Sequence, residues 1–195
     1  MFGTNIGIDL GTVSVIAYME GKGIVLSEPS AVAYDLSGNI VGVGKKAYEM
    51  LEKNHSGIKV VKPLHYGVVS DFTATKHLLT YVISKICKNM VFKPTVVVCI
   101  PSTVTELEKH TLLDIAAASG AAKACLIEEP LAASLGTGLG SDKPKGAMIV
   151  DIGGGTTEVA VISLGGMVVA KSIDVAGDEL TECIVQYFRK KYNLI

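Results

Sequence analysis

Two short segments of this chain carry residue types suited to holding phosphate. Ile6-Gly7-Ile8-Asp9-Leu10-Gly11-Thr12 and Met148-Ile149-Val150-Asp151-Ile152-Gly153-Gly154-Gly155-Thr156 share one plan. Each is an apolar strand with an aspartate at its end, then a glycine turn, a threonine and a second apolar strand. Asp9 and Asp151 stand 142 residues apart (151 − 9), so one hairpin opens two stretches of chain. A repeat on that scale points to two similarly folded halves that face each other. Glycine lets the backbone approach a ligand closely and take positive φ, turning successive N–H groups toward an anion. A charge-assisted hydrogen bond to a phosphate oxygen contributes ~1.5–3 kcal/mol. Aspartate cannot meet phosphate directly, because like charges repel. It can hold a magnesium ion, or that ion's waters, against the phosphates. Taken singly, either turn reads equally well as a bulge with turn aspartates; the matched pair favours phosphate. No Gly-Lys-Ser/Thr follows, so neither turn is a Walker-type loop.

Other reactive side chains give less. Glu128 and Glu129 sit side by side where a strand meets a helix. They are either helix N-terminal charges favoured by the dipole or carboxylates available for catalysis. The four histidines (55, 65, 77, 110) show no ligand spacing, and surface or loop positions are the default for each. The cysteines (87, 99, 125, 183) form no C-x-x-C pair, and three lie in apolar surroundings. They read as buried thiols in a reducing cytosol, not as a zinc site or disulfide framework.

The elements around these residues are those of a mixed α/β chain. Strands are predicted at 5–10, 13–20, 24–26, 31–34 and 40–43, with a short helix at 45–52 and an irregular stretch at 54–72. Leu79, Val82, Ile83, Ile86 and Met90 recur at helical spacing and predict a helix over 73–90. A strand at 95–100 closes on Pro101, and Thr105-x-x-Glu108 is a capping box opening a helix to about Ser119. A strand at 123–127 leads into a helix begun by Glu129-Pro130. The polar stretch 138–146 reads as a linker. Strands at 147–152, 157–163 and 167–173 and a helix at 178–192 follow. The chain of 195 residues is 49% hydrophobic and 19% charged, which excludes disorder. Its 18 basic and 19 acidic side chains leave a net charge of −1, so nucleic acid is not an expected partner. No apolar run reaches the ~18 residues of a transmembrane helix, and Asp9 in the first apolar stretch argues against a signal peptide.

Five segments together resemble one family. They are Ile6 to Thr12, Gly21-Lys22-Gly23-Ile24-Val25-Leu26 with Glu28-Pro29-Ser30, Leu126-Ile127-Glu128-Glu129-Pro130, Asp151 to Gly166, and Val175-Ala176-Gly177-Asp178-Glu179. The chain resembles the MreB family, bacterial actin homologues within the actin, sugar-kinase and heat-shock ATPase superfamily. The Asp-Ile-Gly-Gly-Gly-Thr-Thr-Glu run specifies only the superfamily. The Gly-Lys-Gly-Ile-Val and Glu-Pro-Ser blocks narrow it to MreB and Mbl-like paralogues. The resemblance implies an α/β, actin-like (ribonuclease H-like) ATPase fold. Its first large subdomain would be 1–32 and 73–140, with a small inserted subdomain at 33–72 and the start of a second large subdomain at 147–195. It implies an ATP-binding, filament-forming protein that organises cell-wall synthesis and rod shape. Such a protein works in the cytoplasm at the inner face of the membrane, with its own copies and the cell-wall machinery as partners.

By position, the resemblance assigns Gly11, Thr12 and Val13 to the phosphates from one side and Gly153, Gly154, Gly155 and Thr156 from the other. Asp9 and Asp151 would serve magnesium, and Glu129 would orient the attacking water. The family inserts a hydrophobic loop into the membrane where Met90-Val91-Phe92 stand; by residue type alone these three would tuck into the core. Two departures bear on hydrolysis rate: Val13-Ser14-Val15 replaces the usual Ala-Asn-Thr, and Tyr66 stands where an acidic residue is usual. Family chains are more than half as long again, so this chain reads as an N-terminal portion. Its adenine-binding motif would lie beyond Ile195, and by itself it would be a poor ATPase. A superfamily chaperone-type ATPase or a small-molecule kinase is the alternative, though the short insert offers no catalytic aspartate for a sugar.

Overall fold

The computed structural model describes residues 4–53, 56–88, 90–139 and 144–194. Strands β1 (Asn5–Leu10), β2 (Ser14–Met19) and β3 (Gly23–Pro29) form an antiparallel meander. Alternation decides which faces are buried: Ile6, Ile8 and Leu10 of β1 and Val15, Ala17 and Met19 of β2 all turn inward. A small sheet follows, β4 (Val32–Asp35) between β5 (Ile40–Val43) and β6 (Ile58–Val61), with α1 (Lys45–Glu52) packed on it. A two-stranded hairpin comes next, β7 (Leu64–His65) and β8 (Val68–Val69).

The chain then returns to the first sheet through α2 (Phe72–Ile86), β9 (Thr95–Ile100), α3 (Glu106–Ala118) and β10 (Lys123–Glu128). Parallel pairing of β10 with β9 and of β9 with β1 completes the order β10-β9-β1-β2-β3. Both crossover helices are capped as their sequences dictate. Asp71 accepts from the Ala74 N–H at 2.8 Å, and Thr105 and Glu108 form the reciprocal capping box. The core lies between the sheet and these helices, where Ile8, Val96 and Val98 meet Leu78, Leu79, Val82 and Ile115. Each such side chain contributes ~1.5–3 kcal/mol by burial. Because β1, β9 and β10 run parallel, their carboxyl ends form one row carrying Asp9, Pro101 and the Glu128-Glu129 junction. Open α/β sheets place ligands at that edge. From there α4 (Glu129–Thr137) leads to a second antiparallel sheet, β11 (Ala147–Ile152), β12 (Thr157–Ser163) and β13 (Gly166–Ile173), and to α5 (Gly177–Tyr192).

Several expectations are corrected. The stretch 54–72 contains β6, β7 and β8 instead of irregular chain. Ile58–Val61 is too short to show alternation, and the hairpin turns on Tyr66-Gly67, where tyrosine hides the turn. Helix α2 stops at Ile86, not residue 90, because Ile86 and Cys87 are the last residues packed on the core. Val91 and Phe92 are 91% and 62% exposed, so they do not tuck into the core. Cys87, Cys99 and Cys125 are half-buried and Cys183 is exposed. His55 and residues 140–143 of the 138–146 linker lie outside the described residues.

The Glu-Pro-Ser block has a structural use beyond its place in β3. Burial alone would raise the Glu28 carboxyl, but hydrogen bonds from Lys85 Nζ, the Lys45 N–H and the Tyr81 hydroxyl hold it below the usual range. One carboxylate thereby joins β3, α1 and α2. It also stands in for the missing side-chain cap of α1, whose N-cap is Gly44.

Candidate functional site

The two repeated turns have the same local geometry. The Gly11 N–H donates to the Ser14 carbonyl at 3.0 Å, and the Gly153 N–H donates to the Thr156 carbonyl at 2.9 Å. The flanking pairs, Leu10 with Val15 and Ile152 with Thr157, match at the same spacing of 142. Each turn is braced from outside. The buried Ser30 donates through its hydroxyl to the Gly11 carbonyl at 2.7 Å and through its N–H to the Val13 carbonyl at 2.9 Å. The first amides of α5 brace the second turn: Gly177 N–H donates to the Gly153 carbonyl at 3.1 Å and Asp178 N–H to the Gly154 carbonyl at 2.8 Å.

The turns face each other and touch. A Cβ on Gly155 would stand 2.7 Å from Thr12 Oγ1 and 3.0 Å from Tyr66 Cα, and one on Gly154 would overlap the Val13 side chain. None of Gly11, Gly153, Gly154 and Gly155 lies in the left-handed region. The expectation of positive φ is therefore corrected: glycine is required at 154 and 155 because the opposite turn occupies the space of a side chain. The hairpin tip closes the same junction, since the Gly67 N–H donates to Thr12 Oγ1 at 2.9 Å. Tyr66 (φ 49°) and Gly67 (φ 73°) are both left-handed, as a two-residue type I′ loop demands. A bulky residue there is strained, and Tyr66 packs edge-on against His65 with ring centroids 4.1 Å apart.

Between the turns lies a cavity of about 100 Å³ lined by Asp9, Gly11, Thr12, Val13, Ser14, Gly67, Glu129, Asp151 and residues 153–156. Every residue singled out for phosphate, magnesium and water is thus brought to one cleft. Met90, Val91 and Phe92 lie away from it, just before β9, at the opposite end of the sheet from Asp9. Among the described residues no lysine, arginine or histidine lines the cleft. Its carboxylates therefore raise one another. Burial, then the Asp151 charge, lifts the Asp9 carboxyl above its usual range. Burial and the charges of Asp9, Glu158 and Asp151 push Glu129 up to about 8. The site thus favours the protonated form of Glu129 far more than water does. Cys99 is pushed up to about 12 by burial and the charges of Asp9, Glu129 and Asp151, so its thiol stays protonated.

The donor set suits a magnesium polyphosphate. Backbone amides and the Thr12 and Thr156 hydroxyls offer hydrogen bonds, while Asp9 and Asp151 offer oxygen to a hard cation. Among the described residues no three acidic, histidine or cysteine side chains converge as a metal cage. Phosphate oxygens and water would have to complete the ion's shell, which is the usual habit of magnesium.

Sequence reasoning missed several supporting residues. Ser30 and Tyr66-Gly67 are two of these places. Another is Glu158, only 1% exposed on β12, whose Oε1 accepts from the Ser102 N–H at 2.8 Å and hydroxyl at 2.6 Å. Alternation along β12 puts Glu158 on the inward face with Ala160 and Ile162.

Comparison with known proteins agrees with this architecture. The family model described as MreB/Mbl protein matches residues 3–195. The cell shape-determining protein Mbl of Bacillus cereus is 42% identical over the whole chain, which spans 59% of that protein. MreB5 of Spiroplasma citri, solved with ADP, superposes with a TM-score of 0.91 at 41% identity, over 98% of this chain and 58% of that one. The MamK double helical filament, at a TM-score of 0.81 and 24% identity, shares the fold over 97% of this chain and 60% of its own. The chain thus spans about three fifths of the relatives it matches and has the actin-like α/β fold. On the family model and these identities, the chain belongs to the MreB/Mbl family.

Proposed function

We propose that this chain is the nucleotide-phosphate half of an ATP-binding, filament-forming actin-like protein that organises cell-wall synthesis and rod shape. One observation carries the reading: two glycine turns of matching geometry meet across a single cleft that also gathers Asp9, Asp151 and Glu129. Support comes from the ADP in the solved MreB5 relative and from the cell shape role in the Mbl relative's name. Residues 1–32 and 73–140 form the first large subdomain, 33–72 the insert and 147–195 the start of the second.

In this reading, Gly11, Thr12 and Val13 hold the phosphates from one side and Gly153, Gly154, Gly155 and Thr156 from the other. Asp9 and Asp151 hold magnesium, in part through water. Bound there, the ion neutralises charge on the phosphates. Glu129 orients the attacking water. Its raised proton affinity falls when a cation enters, which leaves a carboxylate able to accept a hydrogen bond from that water. Holding phosphates and water in one geometry is this chain's contribution to hydrolysis, since positioning supplies much of the rate of phosphoryl transfer.

Filaments form by self-association at the inner face of the cell membrane, in contact with the cell-wall machinery. Met90, Val91 and Phe92 are the membrane contact. Burying them in lipid contributes roughly 5 kcal/mol, with ~1 kcal/mol more from Lys93 near anionic headgroups. Multiplied along a filament, that is enough to hold it there. The high exposure of Val91 and Phe92 supports this role.

A titration of the chain with a fluorescent ATP analogue tests the reading. Binding should require magnesium and weaken at least about tenfold in Asp9→Asn or Asp151→Asn, the cost of one lost charge-assisted contact. Equal binding in the presence of EDTA, or in both variants, would overturn it.

A further inference from the structure

Glu158 is a carboxylate where the strand pattern calls for an apolar side chain. Its neighbours on the inward face of β12 are Ala160 and Ile162, and it is as deeply buried as they are. Burying a charge without compensation is costly, yet only Oε1 is engaged. It accepts both hydrogen bonds from Ser102, while Oε2 has no partner among the described residues. A residue kept in place against that cost, and against the pattern around it, marks a functional position.

What Ser102 belongs to explains the use. It follows β9 and Pro101, whose Cγ would stand 2.6 Å from a Cβ on Gly67. Gly67 in turn donates to Thr12 in the first turn, and Thr12 abuts Gly155 in the second. Contacts therefore run in a closed ring from Glu158 through Ser102, Pro101, Gly67 and Thr12 to Gly155 and back along the chain. Glu158 is the one charged group in that ring. It joins the second sheet to the first across 56 residues of sequence.

We propose that Glu158 is a positioning residue for the phosphate cleft: latched to Ser102, it sets how closely the second turn approaches the first. The inference rests on the phosphate reading above. It adds a control residue that touches neither phosphate nor ion.

The test is calorimetric titration of this chain with magnesium tripolyphosphate, which probes the cleft without an adenine site. Glu158→Met keeps the volume and removes the acceptor. Its urea midpoint should hold or rise, since replacing a buried charge by a packed apolar group is often neutral or stabilising, while affinity falls about tenfold through misplacement of the turns. Glu158→Gln keeps a carbonyl oxygen for both Ser102 donors and should restore binding to within about threefold. Ser102→Ala, which leaves the core untouched, removes one of two donors and should cost about threefold. A residue that mattered only for packing would move stability and affinity together. No binding by the unaltered chain would overturn the phosphate reading and this inference with it. Binding by the unaltered chain that Glu158→Met and Ser102→Ala both leave unchanged would overturn the inference alone. So would a Gln variant as weak as Met.

Discussion

Glu129 makes the stability of the chain depend on pH in a direction that can be worked out. Its carboxyl sits near 8 in the folded cleft against 4.5 when free. Over the interval between those values the folded chain holds a proton that the unfolded chain has released. Raising the pH therefore favours unfolding, and the contribution runs opposite to that of a salt-bridged carboxylate. At about 1.4 kcal/mol per tenfold difference, the full separation sets a ceiling near 5 kcal/mol. Glu129 is only half-buried and the cleft admits water, so screening reduces the expected effect to about 2 kcal/mol. Glu129→Gln keeps the shape and cannot ionise. Urea unfolding of both proteins at pH 5.5 and 8.5 isolates the residue, because Asp35, Glu106 and Glu108, all held low, are common to both and cancel. The loss begins near pH 4.5, so part of it is present at pH 5.5, and the variant's advantage over the parent should grow by about 1–2 kcal/mol between pH 5.5 and pH 8.5. A difference that stays the same at both pH values would refute the reasoning.

Two further outcomes follow from the geometry. Gly154→Ala should destabilise the chain by about 1–3 kcal/mol through overlap with Val13, and adding Val13→Ala, which removes the closest clash but keeps a Cβ 2.9 Å away, should recover part of that loss in thermal unfolding. A double variant no better than the single would mean the turns do not touch there. Phe92→Asp should cut co-sedimentation with anionic vesicles more than tenfold, the result of losing about 2 kcal/mol of burial. Unchanged pelleting would remove this tip from the membrane contact.

The parts of the fold that alternation and capping control could be read before the structure. Strand β1 shows Ile6, Ile8 and Leu10 on one face, and Thr105 and Glu108 mark the start of α3. The cleft was readable for a different reason: two copies of one turn reinforce a signal that is ambiguous in each alone. What stayed hidden depends on contacts distant in sequence. Nothing near Gly154 shows that Val13 fills its side-chain space, and nothing near Ser30 shows that it braces Gly11. Tyr66 concealed a hairpin because tyrosine rarely takes positive φ. Helix α2 was drawn too long because Met90 happens to continue its period past the last residue with a core to pack on. Glu158 is hidden because Val159 and Val161 on the outward face are as apolar as Ala160 and Ile162 on the inward one, so the sequence does not say which face of β12 its carboxylate joins.

The central claim is that the two turns hold the phosphates of a magnesium nucleotide. Phosphorus NMR of magnesium ATP, titrated with this chain, observes those atoms directly. The account predicts that the β and γ resonances shift and broaden on addition of protein and return when EDTA is added. The adenine protons should change far less, because the glycine turns and aspartates that line the cleft are the residues assigned to phosphate and magnesium. Adenine signals that move while the phosphate resonances stay fixed, or phosphate shifts that persist without magnesium, would contradict it.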